Sequence, residues 1–341
     1  NEHPPYFYII TNPPMNKWDF ENIWSNENNG KDYPVLKIGE EELEEEIILK
    51  WEKTFGGSKG ENALSVQQTS DGGYIIAGYT DSFGTGGDDV YLIKTDSKGN
   101  KEWEKTFGGK YDDSAYSVQK TLDGGYIIAG ETKSFEDFGG DVYLIKTDPQ
   151  GNKEWEKTFG GREADSANAL QQTSDGGYII AGQTVSFGAG AWDIYLIKTD
   201  PQGNKEWERT FGGKHDESAH SVQQTSDGGY IIAGRTFGDA WNDVYLIKTN
   251  SQGYKKWEKI FGGDDDDWAF SVQQTSDGGY IIAGYTASFG AGGYDVYLLK
   301  LSRKERFIRG DANQDGKVDI ADAVYIAYYL FKGYECKSPD A

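Results

Sequence analysis

Short apolar runs separated by glycine-rich turns recur along most of the chain, and the pattern within each run predicts a β-strand. Four kinds of run follow one another: SVQQT, GGYIIAG, DVYLIKT and KEWEKTF. YIIAG and VYLI are apolar at successive positions, as in strands that are covered on both faces. KEWEKTF alternates, with Trp103 and Phe107 on one face and Glu102 and Glu104 on the other. We therefore expect KEWEKTF at a solvent-exposed outer edge.

The four runs form a unit that occurs five times. The tryptophan of the KEWEKTF-type run recurs with spacings of 52, 52, 52 and 50 residues, at Trp51, Trp103, Trp155, Trp207 and Trp257. A period of this length is typical of a propeller blade with four strands. The sequence therefore predicts an all-β fold, a five-bladed β-propeller of four-stranded blades, with SVQQT as the innermost strand.

The order of the runs predicts how the ring closes. The fourth run is missing after the fifth unit, where Leu301 leads into SRKERF, and an unmatched copy, IILKWEKTFGG, precedes the first unit at residues 47–57. An N-terminal strand from this copy would complete the last blade. An open seven-bladed ring that lacks two blades is the alternative. We predict three regions: a non-repeat segment with an acidic linker (1–46), the propeller (47–306) and a small C-terminal module (307–341).

The repeated motifs resemble those of a known group of proteins. W-x-K-T-F-G-G, G-G-Y-I-I-A-G-x-T and D-V-Y-L-I-K-T-D-x-x-G-N are similar to the β-propeller repeats of secreted bacterial and archaeal proteins, over residues 47–301. That repeat family is usually named for seven blades, whereas this chain has five copies. The resemblance implies a protein that is secreted or displayed at the cell surface.

The C-terminal sequence DANQDGKVDIAD has the spacing of a calcium-binding loop, with Gly316 at the sharp turn and a predicted EF-hand-like helix after it. The predicted oxygen ligands are Asp311, Asn313, Asp315, the carbonyl of Lys317, Asp319 and Asp322. An acidic turn before a helix is the alternative. The segment resembles a dockerin, which implies bound Ca²⁺ and a cohesin-like partner. A dockerin has two such loops, and this chain has one before Ala341.

Charge and hydropathy exclude several classes of partner. The net charge is −22, from 34 basic and 56 acidic side chains, so the chain repels phosphate backbones and anionic lipid. We expect no nucleic-acid partner. No apolar run approaches the 18 or so residues of a membrane span, so we expect no membrane insertion. Cys336 is the only cysteine and can form no internal disulfide.

The carboxylates of the repeat bear on whether the chain is an enzyme. Five-bladed propellers include glycoside hydrolases, which place two carboxylates in different environments. The predicted innermost strands offer mainly Ser, Val, Gln and Thr, and His3, His215 and His220 form no evident triad. The carboxylates of the repeat come in near-equivalent copies that suit turn hydrogen bonds, at Asp89, Asp141, Asp193, Asp243 and Asp295. We therefore predict that the chain is not an enzyme, with an extracellular glycoside hydrolase and a passive spacer as the alternatives.

The connections between the runs differ in how much they vary. The turns TSDGG and TDPQGN are nearly constant, whereas the connections from second to third and from fourth to first strand differ between copies. Alternating strand direction places both variable sets at one end of the sheets, where binding residues often lie. We predict that Trp192, Trp241, Trp268 and Tyr294 bind an extracellular protein or a glycan. Because these aromatics do not repeat, a single protein contact is favoured; rings that only cover their own loops are the alternative.

Overall fold

The computed structural model describes residues 24–25, 35–36, 49–135, 139–238, 240–302, 317–321 and 323–326. The chain divides into two compact units, residues 1–52 and 53–341. In the first unit, β1 (Trp24–Ser25) pairs with β2 (Val35–Leu36) in antiparallel orientation. Within the described residues, no helix has the length and apolar character needed to cross a membrane.

The second unit contains five antiparallel sheets, which we number in chain order. The first sheet is β3 (Glu61–Gln68), β4 (Tyr74–Thr80), β5 (Asp89–Thr95) and β6 (Lys101–Phe107). The second is β7 (Asp113–Lys120), β8 (Tyr126–Thr132), β9 (Asp141–Thr147) and β10 (Lys153–Phe159). The third is β11 (Asp165–Gln172), β12 (Tyr178–Thr184), β13 (Asp193–Thr199) and β14 (Lys205–Phe211). The fourth is β15 (Glu217–Gln224), β16 (Tyr230–Phe237), β17 (Asn242–Thr249) and β18 (Lys255–Phe261); the fifth is β19 (Asp267–Gln274), β20 (Tyr280–Thr286) and β21 (Asp295–Leu301).

The constant TSDGG turns are stabilised by their own aspartate. In the first sheet, Asp71 Oδ1 accepts hydrogen bonds from the hydroxyl of Thr69 at 2.5 Å and from the backbone N–H of Gly73 at 3.0 Å. Gly72 has a φ of 82°, a conformation that glycine adopts at little cost. The other oxygen, Asp71 Oδ2, accepts from Lys94 Nζ on β5 at 2.9 Å. The turn is thereby tied to the third strand of its own sheet.

Neighbouring sheets pack face to face, and their apolar side chains form the core. Ile75 and Leu92 of the first sheet belong to one buried cluster with Val118 and Ile128 of the second. Equivalent clusters join the second to the third sheet, the third to the fourth, and the fourth to the fifth. The all-β prediction, with sheets ordered from an innermost first strand to an outer fourth strand, is confirmed.

The first strands of successive sheets lie side by side, and glutamine side chains connect them. Gln67 Oε1 on β3 accepts a hydrogen bond of 2.6 Å from the backbone N–H of Lys120 on β7. The same bond, also 2.6 Å long, occurs at the next three interfaces, between Gln119 and Gln172, Gln171 and Gln224, and Gln223 and Gln274. One repeated side chain therefore links the inner edges of all five sheets.

The predicted closing strand is not formed, which corrects the expectation drawn from residues 47–57. Residues 49–57 are described and carry no strand, and among the described residues β21 pairs only with β20. Instead, Lys53 Nζ donates to Asn100 Oδ1 at 3.3 Å, and the N–H of Gly57 donates to Glu61 Oε2 at 3.2 Å. Both contacts are to the first sheet. Within the part of the chain that the structure describes, the fifth sheet has three strands.

The two terminal sheets each expose a face that the inner sheets bury. Val66 on β3 is 65% exposed, whereas the corresponding Val118 on β7 is 6% exposed. On β21, Val296 and Leu298 are exposed, although their counterparts in the four preceding sheets are buried. No strand of the first sheet makes extensive contact with the fifth within the described residues. Among the described residues, neighbouring sheets therefore form four interfaces. One face of the first sheet and one face of the fifth sheet remain exposed.

Candidate functional site

The variable connections meet a patch of aromatic side chains at one end of the fourth and fifth sheets. We define the aromatic patch as His220, Arg235, Trp268, Phe270, Tyr285 and Tyr294. Five of these residues lie on the first two strands of their sheets, β15, β16, β19 and β20, and Tyr294 directly precedes β21. Because the strands fix the backbone, the rings of the patch other than Tyr294 are presented from a rigid support rather than from a connection.

The rings of the patch are in mutual contact. Trp268 stacks on His220 and on Tyr285, with ring centroids 5.7 Å apart in each pair and interplanar angles of 11° and 21°. Phe270 lies 5.4 Å from His220 and 5.8 Å from Tyr285. Tyr294 contacts Tyr285 edge-on at 4.8 Å. Phe270 and Tyr294 are exposed, so the patch presents apolar ring surface to solvent.

Arg235 brings a positive charge into the patch. The guanidinium of Arg235 lies 4.5 Å from the ring centroid of Trp268, and its Nη1 donates to Asn242 Oδ1 at 2.5 Å. Burial, together with this nearby positive charge, lowers the pKa of His220 to about 4. His220 is therefore neutral at physiological pH.

Three polar nitrogens in the patch are buried without a hydrogen-bond partner: His220 Nε2, Trp268 Nε1 and Arg235 Nε. A buried polar group without a partner destabilises the fold by about 1–3 kcal/mol. The patch therefore combines stacked rings with hydrogen-bonding capacity that the protein itself leaves unused.

Two of the four predicted binding residues, Trp268 and Tyr294, lie in the patch. Trp192 is half-buried, and its carbonyl accepts a hydrogen bond from the N–H of Glu217 at 2.6 Å. Trp241 is exposed, and its carbonyl accepts from the N–H of Gly238 at 2.7 Å. Among the described residues, no ring contact joins Trp192 or Trp241 to the patch. Ligand binding by these residues stays a prediction.

His220, Arg235, Phe270 and Tyr285 are not among the predicted site residues. They lie inside strands, and the strand prediction depends on the residues that the copies have in common rather than on those that differ. The signal that finds them is the variation at two strand positions. One position is Leu64, Tyr116, Asn168, His220 and Phe270 in successive copies, and the other is Tyr79, Glu131, Gln183, Arg235 and Tyr285.

The second sheet carries a carboxyl group at one of these variable positions. Glu131 on β8 accepts a hydrogen bond of 3.4 Å from the hydroxyl of Tyr116. Burial raises the pKa of Glu131, and the charge of Asp112 raises it further. A carboxyl group with a raised pKa can act as a general acid. This group occurs in one copy only, unlike the carboxylates of the repeat.

The repeated aspartates make turn hydrogen bonds, as their equivalence predicts. Oδ2 of Asp89 accepts from the N–H of Thr85 at 2.7 Å, and Oδ2 of Asp193 accepts from the N–H of Ala189 at 2.9 Å. Asp89 also faces Asp113 of the next sheet, since a methyl group on Gly108 would contact both carboxylates. Burial, followed by the negative charges of Asp113 and Asp88, raises the pKa of Asp89 to about 6.

The predicted calcium site falls largely outside the described residues. Asp311, Asn313, Asp315 and Asp322 are not described, whereas Lys317 and Asp319 are. Asp319 Oδ1 accepts a hydrogen bond of 2.8 Å from the N–H of Ala321, and residues 320–321 and 323–326 are helical. Across the described residues, no three His, Cys, Asp or Glu side chains are grouped as metal ligands. Calcium binding and the dockerin-like character stay predictions.

Comparisons with known proteins find a distant sequence relative and several solved structures of low similarity. No family model matches the chain. Over 233 residues, 60% of this chain, the sequence is 25% identical to the regulatory protein FlaEY of Caulobacter vibrioides, and the match spans 24% of that protein's length. The endo-arabinase of Bacteroides thetaiotaomicron has a TM-score of 0.39 at 11% identity, covering 74% of this chain and 99% of the enzyme. Sqt1 of Chaetomium thermophilum, bound to the N-terminus of ribosomal protein L10, has a TM-score of 0.35 at 12% identity, covering 71% and 75%.

The comparisons correct the prediction that the chain is not an enzyme. Several similar solved structures are glycoside hydrolases, including the endo-arabinase and a putative exo-β-1,3-galactanase from Bifidobacterium bifidum (TM-score 0.38, 13% identity, 70% of this chain and 86% of that chain). This finding contradicts the prediction, which we withdraw. The prediction depends on the first strands and on the repeated aspartates. Glu131 belongs to neither group, because it lies on the second strand of its sheet. A carboxyl group on a second strand can also reach the variable end of the sheets.

Proposed function

We propose that this chain recognises glycans outside the cell through the aromatic patch of the fourth and fifth sheets. The observation that carries the proposal is the contiguous set of rings around Trp268, with Phe270 and Tyr294 open to solvent. Sugars present apolar C–H faces and hydroxyl groups together, and aromatic rings with a few polar groups are the usual means of binding such molecules.

The polar nitrogens of the patch support a hydroxyl-rich ligand. His220 Nε2, Trp268 Nε1 and Arg235 Nε have no partner, and local rearrangement would allow them to bond to hydroxyl groups. Because the pKa of His220 is about 4, the imidazole stays neutral and can accept or donate at neutral pH. The rings stack on the apolar face of the sugar, and the nitrogens orient the sugar by hydrogen bonds to its hydroxyl groups.

A glycan array followed by calorimetry tests the proposal. Phe270→Ala and Tyr294→Ala each remove an exposed ring, and we expect at least a tenfold loss of affinity for the selected oligosaccharide, which corresponds to about 1.4 kcal/mol. Tyr111→Ala is the matched control, since Tyr111 is an exposed tyrosine in another variable connection. We expect Tyr111→Ala to bind normally and all three variants to keep the melting temperature of the unmodified chain.

Two results would contradict glycan recognition by the patch. One is the absence of any bound glycan on the array together with specific capture of a protein that Phe270→Ala no longer captures. The other is a bound glycan whose affinity is the same in Phe270→Ala, Tyr294→Ala and Tyr111→Ala. The first outcome would assign the patch to a protein partner, and the second would move the glycan to another surface.

Glycoside hydrolysis is a second candidate function, favoured by Glu131. Its raised pKa suits an acid that protonates a leaving group, and Asp112 is close enough to influence that pKa. We expect Glu131→Gln to abolish any hydrolysis of the oligosaccharides selected on the array, with no change in their binding at the patch. Chromatography of the products is the measurement. Hydrolysis that persists in Glu131→Gln would exclude Glu131 as the acid.

A further inference from the structure

A second surface, at the opposite end of the sheets, differs from its repeated counterparts. In three places, the turn between the third and fourth strands of one sheet covers the tryptophan of the preceding sheet. A methyl group on Gly151, Gly203 or Gly253 would come within 2.6 Å of Cζ3 of Trp103, Trp155 or Trp207, respectively. The three glycines have φ values of 76–78°. The turn can rest on the indole ring only because glycine stands there.

The sequence of the fifth copy does not support this turn over Trp257. The glycine occurs four residues after the end of the third strand, as in Thr199 to Gly203, and the same spacing from Leu301 leads to Glu305. The repeated turn requires glycine at this position, so the sequence of the fifth copy departs from the sequence of that turn. Trp257 is therefore the one tryptophan on a fourth strand whose next sheet lacks the covering glycine.

A cavity of about 510 Å³ lies at this tryptophan. Its aromatic wall is Trp257 and Tyr280, whose rings meet edge-on at 5.8 Å, and Gly279 and Leu301 line it from the fifth sheet. The volume is in the range of small-molecule binding sites, which combine aromatic walls with a few charged groups. The cavity is separate from the aromatic patch, because the constant turns lie at the opposite end of the strands from the variable connections.

One charged position beside the cavity has the opposite sign from the equivalent position of the first three sheets. The fourth strand has Glu102, Glu154 and Glu206 at the position before tryptophan, and Lys256 in the fourth sheet. Glu102 forms an ion pair of 2.8 Å with the buried Lys94. Lys256 instead shares Asp227 with Lys248, and both lysines lie 2.9 Å from that carboxylate. Two ammonium groups therefore surround one carboxylate.

Lys259 adds a further positive charge to the wall. In the first sheet, the corresponding Lys105 donates to Asn152 Oδ1 of the next covering turn at 3.1 Å, and in the third sheet Arg209 donates to the carbonyl of Gln252 at 3.1 Å. The fifth copy lacks this turn sequence, so Lys259 lines the cavity instead. The wall contains three lysines and one aspartate, a local excess of positive charge in a chain of net charge −22.

We propose that this cavity binds an acidic sugar residue, a uronic acid within a polysaccharide. The pyranose ring stacks against Trp257, and its carboxylate is bound by Lys256 and Lys259. A single carboxylate matches the modest excess of lysine. A polyanion such as nucleic acid is disfavoured, because the rest of the chain is strongly negative.

Titration of the full chain with trigalacturonic acid tests the site, with neutral galactotriose as the comparison ligand. We expect binding of trigalacturonic acid to quench tryptophan fluorescence and to weaken as salt is raised, because the contacts are between charges. Lys256→Glu restores the residue of the other copies, and we expect at least a tenfold loss of affinity from it. Lys259→Ala is expected to weaken binding severalfold. Both lysines are exposed, so circular dichroism should show unchanged folding.

Matched variants separate this site from the rest of the molecule. Lys105→Ala removes the equivalent of Lys259 at a covered tryptophan, and Glu102→Lys introduces the equivalent of Lys256 there; neither should change the affinity for trigalacturonic acid. Phe270→Ala should also leave it unchanged, since Phe270 belongs to the aromatic patch. The proposal is overturned if the unmodified chain does not bind trigalacturonic acid, binds galactotriose equally well, or loses no affinity in Lys256→Glu.

Discussion

The third and fifth sheets have nearly the same sequence and differ in what covers them. Leu196 on β13 and Leu298 on β21 occupy the same position of the repeat, yet Leu196 is 0% exposed and Leu298 is 64% exposed. The third sheet is covered by the fourth, whereas the described residues after β21 contain no further sheet. The surroundings of a residue in such an array are therefore decided by its neighbouring unit, and stability is expected to depend on position as well as sequence.

Truncating the two leucines gives the largest expected difference between inner and terminal sheets. Leu196→Ala removes side-chain atoms from a filled interface, and we expect it to lower the free energy of unfolding by about 3 kcal/mol. Leu298→Ala acts on an exposed side chain, and we expect a loss below about 1 kcal/mol. Urea unfolding followed by tryptophan fluorescence compares them. Equal losses would show that the face of β21 is covered in solution.

Substitution of the lysine of the third strand is expected to give a smaller difference in unfolding free energy between an inner and a terminal sheet. Lys146 is buried and lies 2.8 Å from both Asp123 and Glu154, whereas Lys300 is partly exposed and pairs with Asp277 at 2.6 Å. We expect Lys146→Met to lower the free energy of unfolding by about 1–3 kcal/mol, because two acceptors lose their partner. For Lys300→Met we expect about 0–1 kcal/mol. A larger loss from Lys300→Met in urea unfolding would reverse the comparison.

Substitution of the aspartate at the start of the third strand is expected to change the free energy of unfolding least, and to raise it rather than lower it. The pKa of Asp89 is raised to about 6 by burial, then by Asp113 and Asp88. A raised pKa means that the folded state binds the proton more tightly, so this contribution is complete below about pH 4 and is lost as pH rises through 6. Asp89→Asn cannot ionise, and we expect it to be more stable than the unmodified chain by about 1 kcal/mol at pH 8.

Asp295→Asn is the control for this prediction, because Asp295 keeps the same turn bond, 2.9 Å from the N–H of Ala291, but no sheet follows its own among the described residues. Thermal melting at pH 4 and pH 8 provides the measurement. The stabilisation by Asp89→Asn should disappear at pH 4. If Asp89→Asn destabilises the chain at pH 8, the cost of ionising a buried carboxyl group at this position is not the dominant effect.

Much of the fold could be predicted because each strand carries its own pattern. YIIAG and VYLI are apolar throughout, and KEWEKTF alternates, so strand order within a sheet follows from burial. The uncovered ends could not be predicted in the same way. Val296 and Leu298 belong to a sequence that matches its buried copies, and nothing within that sequence states whether a neighbour is present.

The candidate site was predictable in part for a related reason. Trp268 and Tyr294 adjoin variable connections and differ from their counterparts, so comparison of connections finds them. His220 and Tyr285 differ as much between copies, but they occupy strand positions where any side chain fits the strand pattern. Their proximity comes from the packing of the fourth against the fifth sheet, which brings together residues 65 positions apart in sequence.

The glutamine bonds between first strands have a geometric consequence. At every formed interface the inner edges are connected through a bond of 2.6 Å, with Gln67 and Lys120 as the first pair. Farther out, the spacing is set by a tryptophan against a tyrosine, at 5.8–6.0 Å between rings, as for Trp103 and Tyr126. Since both contacts repeat almost unchanged, we infer that neighbouring sheets meet in nearly the same way at each of these four interfaces. One joint between sheets is thus used four times in succession.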